Sequence, residues 1–126
     1  MKIIYQLENR TMEKNIIDFK KMNGLIPAII QDAKTKDIYM LGYMNEETLE
    51  MTRNKGMVYF WSRSKKRVWM KGEVSGNVLK VRTIYIDCDR DTLLILVELV
   101  GNAVCHTEKR TCFNEELFVR FLPPQE

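Results

Sequence analysis

Three cysteines, one histidine and a run of aspartates carry the chemistry that this sequence offers. Cys88 lies inside Asp87-Cys88-Asp89-Arg90-Asp91, and Cys105 and Cys112 follow with His106, the only histidine, between them. Three thiols are an odd number for a disulfide framework, but they are a full set of protein ligands for a zinc ion that keeps one position open. Asp87, Asp89 and Asp91, two residues apart, are a ready set of hard oxygen ligands for magnesium or calcium. Soft and hard donors interleaved over residues 87–112 point to hydrolytic chemistry.

Each grouping has a competing reading. In a strand, residues i, i+2 and i+4 share a face, so Asp87, Asp89 and Asp91 would project together with Cys88 and Arg90 opposite. Three carboxylates so placed repel unless a cation neutralises them; the competitor is a solvated acidic turn after a strand. An EF-hand loop fails, because its sixth position is Thr92 where glycine is needed and the following residues read as a buried strand. Cys105-x6-Cys112 is not a zinc-finger spacing, and a free cysteine is often only a small buried hydrophobe. That suits Cys88, beside Ile84 and Ile86, but not Cys105 and Cys112, which sit in polar, loop-like sequence. With Cys88 pointing away from the acids, a zinc ion that it helps to bind lies across the strand, where a second subunit could bring Cys105 and Cys112. His106 is either a fourth ligand or a general acid/base beside metal-bound water. The second is preferred, because three thiolates and an imidazole would close the coordination sphere.

A further segment, Phe60-Trp61-Ser62-Arg63-Ser64-Lys65-Lys66-Arg67-Val68-Trp69, mixes aromatics, hydroxyls and basic side chains. Such a mixture suits a nucleotide or single-stranded RNA; the alternative is a twisted hairpin with core aromatics and a basic solvent face.

The frame for these groups is one of 126 residues, 45% hydrophobic and 29% charged. That is the size of a single domain with a core of its own, so a metal is free to serve catalysis. The charged fraction argues against disorder. No apolar run approaches the ~20 residues of a membrane span, and the first eight residues are too weakly apolar for a signal peptide. A soluble cytoplasmic protein with reduced thiols is the expectation. The net charge of +3 suits an anionic small molecule as well as a nucleic acid and decides neither. Arg63, Lys65, Lys66, Arg67 and Lys71 form one basic cluster; Arg82, Arg90, Lys109 and Arg110 lie near the metal-ligand candidates.

The element pattern is β-rich α+β with one or two short helices, over a single domain spanning 1–126. Residues 1–8 alternate as a strand, and 12–22 read as a short helix stopped by Asn23-Gly24. Leu25–Asp32, with Pro27, reads as an edge strand or one paired late, and Asp37–Tyr43 returns as the second arm of a hairpin. Asn45-Glu46-Glu47-Thr48 starts a helix that runs to about Lys55 and stops at Gly56. Met57–Ser62 and Arg67–Lys71 are strands around a charged turn. Gly72–Gly76 is a second turn. Asn77–Asp87 alternates, with Val81, Thr83, Tyr85 and Asp87 sharing a face, and Thr92–Val100 is a buried strand.

Several blocks resemble the phosphoribosyl-AMP cyclohydrolase family: Gly24-Leu25-Ile26-Pro27-Ala28, Met40-Leu41-Gly42-Tyr43-Met44-Asn45, Phe60-Trp61-Ser62-Arg63-Ser64, Trp69 through Asn77, Asp87 through Asp91, Cys105-His106-Thr107 and Thr111-Cys112-Phe113. The resemblance covers roughly Phe19 to Phe113; residues 1–15 and 114–126 are variable ends. No block resembling a phosphoribosyl-ATP pyrophosphohydrolase follows, so the stand-alone form is expected. The resemblance implies a homodimeric mixed sheet folded into a pseudobarrel, and a hydrolase of histidine biosynthesis that opens the N1–C6 bond of the adenine ring of phosphoribosyl-AMP. It implies zinc on Cys88, Cys105 and Cys112, with Cys88 from the partner subunit, and magnesium on Asp87, Asp89 and Asp91. For the proton transfers His106 is the first candidate and Glu73 the second; Ser62, Arg63, Ser64 and Lys71 are candidate phosphate contacts. The rival functions are a zinc-dependent nucleotide deaminase, whose Pro-Cys-x-x-Cys helix is missing, and a non-enzymatic RNA-binding module with structural zinc.

Overall fold

The computed structural model describes residues 17–121. The strand expected over 1–8 and the first part of the helix expected over 12–22 lie outside that range. Within it the order is β1 (Ile26–Asp32), β2 (Ile38–Met44), α1 (Glu46–Lys55), β3 (Tyr59–Ser62), β4 (Arg67–Met70), β5 (Val78–Ile86) and β6 (Leu93–Val100). Residues 20–24 form turns, not helix. Asn23 and Gly24 both take positive φ, 56° and 91°, and the Gly24 N–H closes the turn on the Phe19 carbonyl at 2.7 Å. The glycine stop is therefore present, but it ends a turn.

The helix follows from its own sequence. Asn45 Oδ1 accepts the Thr48 N–H and Thr48 Oγ1 accepts the Asn45 N–H, each at 2.9 Å, so two orphan donors of the first turn are satisfied reciprocally. Glu46 and Glu47 face the positive end of the helix dipole, Arg53 and Lys55 the negative end. Gly56 ends it at φ 73°. The buried Thr52 hydroxyl donates to the Thr48 carbonyl at 2.7 Å and accepts the Tyr59 N–H at 3.0 Å, tying the helix to β3.

Four strands form a mixed sheet in the order β2-β1-β6-β5, and β3 and β4 form a separate antiparallel hairpin. β1 is thus an interior strand, antiparallel to β2 and parallel to β6. Pro27 is tolerated because the β6 ladder starts at Ala28, one residue later; of the two expectations, late pairing is the one realised. β5 also departs from simple alternation. Its register against β6 slips between Val81 and Thr83, a bulge that leaves Arg82 exposed. Leu79 and Val81 pack on the core before the bulge, and Ile84 and Ile86 after it. The face expected for Thr83 and Tyr85 is therefore the outer one, and Tyr85 is exposed.

The core gathers Ile26, Ala28 and Ile30 of β1, Tyr39, Met40 and Met44 of β2, Leu93, Ile95 and Val97 of β6, with Leu49, Val58 and Phe60. Phe60 also packs on Trp69, ring centroids 5.2 Å apart. Gly42 is required where the hairpin meets β2: a Cβ there would lie 2.5 Å from the Phe60 ring. Among the described residues no helix is long and apolar enough to cross a membrane.

Candidate metal centre

The three aspartates do converge, but not by strand alternation. β5 ends at Ile86, and residues 87–92 form a tight turn into β6. The Asp87 N–H donates to the Thr92 carbonyl at 3.0 Å and the Arg90 N–H to the Asp87 carbonyl at 3.1 Å. Arg90 takes a left-handed φ of 62°. Asp87 Oδ1 accepts the backbone N–H groups of Asp91 and Thr92 at 3.0 and 3.2 Å. Folding the turn back in this way brings one carboxylate oxygen from each of Asp87, Asp89 and Asp91 within 4.8 Å of the others. The donor set is hard oxygen, largely exposed, and suits a divalent cation such as magnesium. Among the described residues Lys21 supplies a positive charge there: its ammonium donates to Asp91 Oδ2 at 3.0 Å and to the Asp89 carbonyl at 3.5 Å. That hydrogen bond raises the Lys21 pKa and lowers that of Asp91.

Cys105 and Cys112 form the soft pair. Cys105 is buried, and its sulfur lies 3.0 Å from Thr107 Oγ1, 3.9 Å from Asn114 Nδ2 and 4.0 Å from His106 Nδ1. Hydrogen bonds from the side chain and backbone of Thr107, with help from Cys112 and Asn114, hold its thiol below the ordinary range. Desolvation of the Cys112 sulfur pushes that thiol up, the neighbouring Cys105 adds to the effect, and the Lys71 ammonium opposes it. Cys105 is thus the more acidic of the two thiols. Two polarisable sulfurs on one loop, near enough to act on each other's ionisation, are the donor chemistry that zinc takes.

Cys88 stands apart. It is exposed on the acidic turn, and among the described residues no group of three ligand side chains forms around the thiols. The register explains why. Cys112 is held at the level of Tyr39, near the start of β2, whereas the acidic turn precedes Leu93, which pairs with Ala28 and through it stands level with Gly42. The two sites are separated by roughly 15 Å along the strands, besides two strand spacings of ~4.8 Å.

The other candidates divide. Lys71 is brought close enough to Cys112 for its charge to act on the thiol. His106 is exposed at the rim of the pair. Glu73 is held by Arg67 at 2.8 Å. Ser62 and Ser64 lie together with hydroxyls 3.4 Å apart, and the Arg63 guanidinium stacks 3.9 Å from the centre of the Tyr43 ring, so these three expected phosphate contacts share one hairpin tip, whereas Lys71, just after β4, lies at the opposite end of the hairpin. Missed in the sequence were Asp32 and Tyr39, which hold Arg110 (noted there only as a basic neighbour of the metal-ligand candidates) beside the cysteine loop, and Lys21 at the acidic turn. A buried aspartate in an otherwise apolar strand, Asp32, was the one available signal.

The sequence model of the phosphoribosyl-AMP cyclohydrolase family matches residues 40–114, a span that holds every metal-ligand candidate. A phosphoribosyl-AMP cyclohydrolase of Desulfatibacillum aliphaticivorans is 52% identical over 99 residues, 79% of either chain. The chain belongs to the phosphoribosyl-AMP cyclohydrolase family. Another relative so named, from Cenarchaeum symbiosum, is 50% identical over 84% of this chain and 99% of its own length. The histidine biosynthesis bifunctional protein HisIE of Haemophilus influenzae is 54% identical over 99 residues, which make up 44% of that protein. Within the family match, the cysteine pair, the acidic turn and the Ser-Arg-Ser tip are the clusters of reactive side chains described above.

Proposed function

We propose that this chain is a phosphoribosyl-AMP cyclohydrolase of histidine biosynthesis, which hydrolyses the N1–C6 bond of the adenine ring and yields the formimino carboxamide ribotide. What supports this reading is the family match over residues 40–114, together with Cys105 and Cys112 as neighbours on one loop and Cys88 held away on the acidic turn. Two thiols lack a third within the same chain, and a second copy supplies it. The active form is then a homodimer whose sheets make a pseudobarrel, each zinc held by Cys105, Cys112 and Cys88 of the partner subunit. Asp87, Asp89 and Asp91 hold magnesium.

Zinc, when bound, acidifies a coordinated water toward a pKa of ~7 and so makes hydroxide available at neutral pH. Magnesium, when bound, keeps positions open for oxygen ligands such as substrate phosphate. The remaining work falls to the chain. Ser62, Arg63, Ser64 and Lys71 bind phosphate oxygens; Arg63 is held by its stacking on Tyr43, and a guanidinium can take two phosphate oxygens at once. His106, beside Cys105 and open to solvent, takes a proton from the attacking water and returns one to N1 as it departs. Glu73 would first have to leave Arg67, which favours His106 for that task. The protein works as a single domain in the cytoplasm, on a small anionic nucleotide and without nucleic-acid or membrane partners.

The test is an absorbance assay of ring opening with phosphoribosyl-AMP, run before chelation, after it and after zinc is restored. Activity lost with the metal and regained with zinc supports the reading; full activity in the chelated protein overturns the zinc assignment. Ammonia release during turnover would point to deamination instead.

A further inference from the structure

We infer that Arg110 and Tyr39 are positioning residues for the Cys105–Cys112 pair, acting from β2 through the loop that carries both sulfurs. The inference rests on the zinc reading above and adds residues that bear no ligand atom. The loop after β6 has no regular secondary structure. Internally it is closed by the Val104 N–H on the Arg110 carbonyl at 3.2 Å and the Cys105 N–H on the Lys109 carbonyl at 3.1 Å. These two bonds make the position of Cys105 depend on that of residues 109 and 110.

The far end is tied to β2. The Cys112 N–H donates to the Tyr39 carbonyl at 2.8 Å, and Thr111 Oγ1 donates to the Ile38 carbonyl at 2.6 Å and the Tyr39 carbonyl at 3.2 Å. Arg110 adds a fork: Nε donates to Asp37 Oδ2 at 3.1 Å, and Nη2 donates to the Tyr39 hydroxyl at 3.0 Å. Tyr39 is wholly buried, and its hydroxyl donates to Asp32 Oδ2 at 2.5 Å. Asp32 is fixed in turn by the Lys34 and Thr35 N–H groups, both at 2.8 Å on Oδ1. The chain of contacts runs from a rigid hairpin, through a buried phenol, to a guanidinium two residues from Cys112 and five from Cys105. A ligand pair on an irregular loop keeps its sulfur separation only if the loop is held at both ends, and Arg110 is where the internal and external bonds meet. A lysine cannot replace it, because one ammonium does not reproduce two divergent N–H directions.

The experiment compares the parent with Arg110→Gln, Arg110→Lys and Tyr39→Phe. Zinc affinity is read by competition with a chromophoric chelator, and thermal unfolding is read on the metal-free proteins. Groups that orient metal ligands typically change affinity 10–100-fold when removed. The expected result is a zinc Kd raised about tenfold or more in Arg110→Gln, not restored in Arg110→Lys, and raised severalfold in Tyr39→Phe. Tyr39→Phe keeps the buried ring and the carbonyl that holds Cys112, so it decides the matter should Arg110→Gln not fold. A zinc Kd within twofold of the parent in folded variants, whatever their melting temperature, overturns the inference. A parent that binds zinc no better than Cys112→Ser overturns the zinc reading itself, a distinguishable failure.

Discussion

Replacing Asp32 with asparagine should cost the fold about 2 kcal/mol at neutral pH, and that cost should fade as the solution is acidified. Asp32 is only 8% exposed at the end of β1. Burial alone would raise its pKa, but the Tyr39 hydroxyl, the Thr35 and Lys34 N–H groups and the Arg110 charge outweigh burial and bring it down from 3.8 to about 2. The reciprocal effect appears on Tyr39, which burial and the Asp32 carboxylate push up to about 12. Because the folded pKa is the lower one, the ionised carboxylate stabilises the fold fully above the unfolded value near 4. The contribution disappears as pH falls from about 4 through about 2. Just under two pH units at 1.36 kcal/mol each set the magnitude at about 2 kcal/mol. Asparagine keeps an oxygen for the two backbone donors but loses the anion that Tyr39 and Arg110 face. The Tm at pH 7 should fall by several degrees. Urea unfolding of parent and variant at a series of pH values from 7 to 2.5 is the assay. A gap of unchanged size across that range would refute the electrostatic argument and leave only packing as its cause.

Three further outcomes are expected. Gly42→Ala should destabilise by about 1–3 kcal/mol in chemical denaturation, because its Cβ meets the buried Phe60 ring at 2.5 Å; a change under half a kcal/mol would mean the hairpin moves aside freely. His106→Ala should lower kcat by roughly 10²–10⁴-fold while zinc content, measured by atomic absorption, stays the same; unaltered turnover removes His106 from the mechanism. Cys88→Ser and Cys112→Ser proteins should each be inactive, yet after subunits are mixed and exchanged they should recover about a quarter of the parent activity, since half of the dimers then hold one complete site of two. No recovery from mixed, reassociated dimers would place Cys88 outside the shared site.

What local sequence encodes, this sequence announced. The helix from Glu46 to Lys55 was legible to the residue because its start and stop are set by contacts three or four positions apart. The acidic run and the two later cysteines were legible as groups for the same reason: ligand type is written in residue identity. The acids were grouped correctly for the wrong geometric reason, since a turn and not a strand gathers them. The interior place of β1, the bulge at Arg82 and the bonds joining Arg110 to Tyr39 and Asp37, 71 and 73 residues apart, were decided by the tertiary structure alone. Strand neighbours and long-range hydrogen bonds depend on which surfaces meet after the chain collapses, and no short window of sequence holds both partners. Donor type is fixed by residue identity, whereas the place of the cysteine loop is set by its hydrogen bonds to a hairpin far away along the chain.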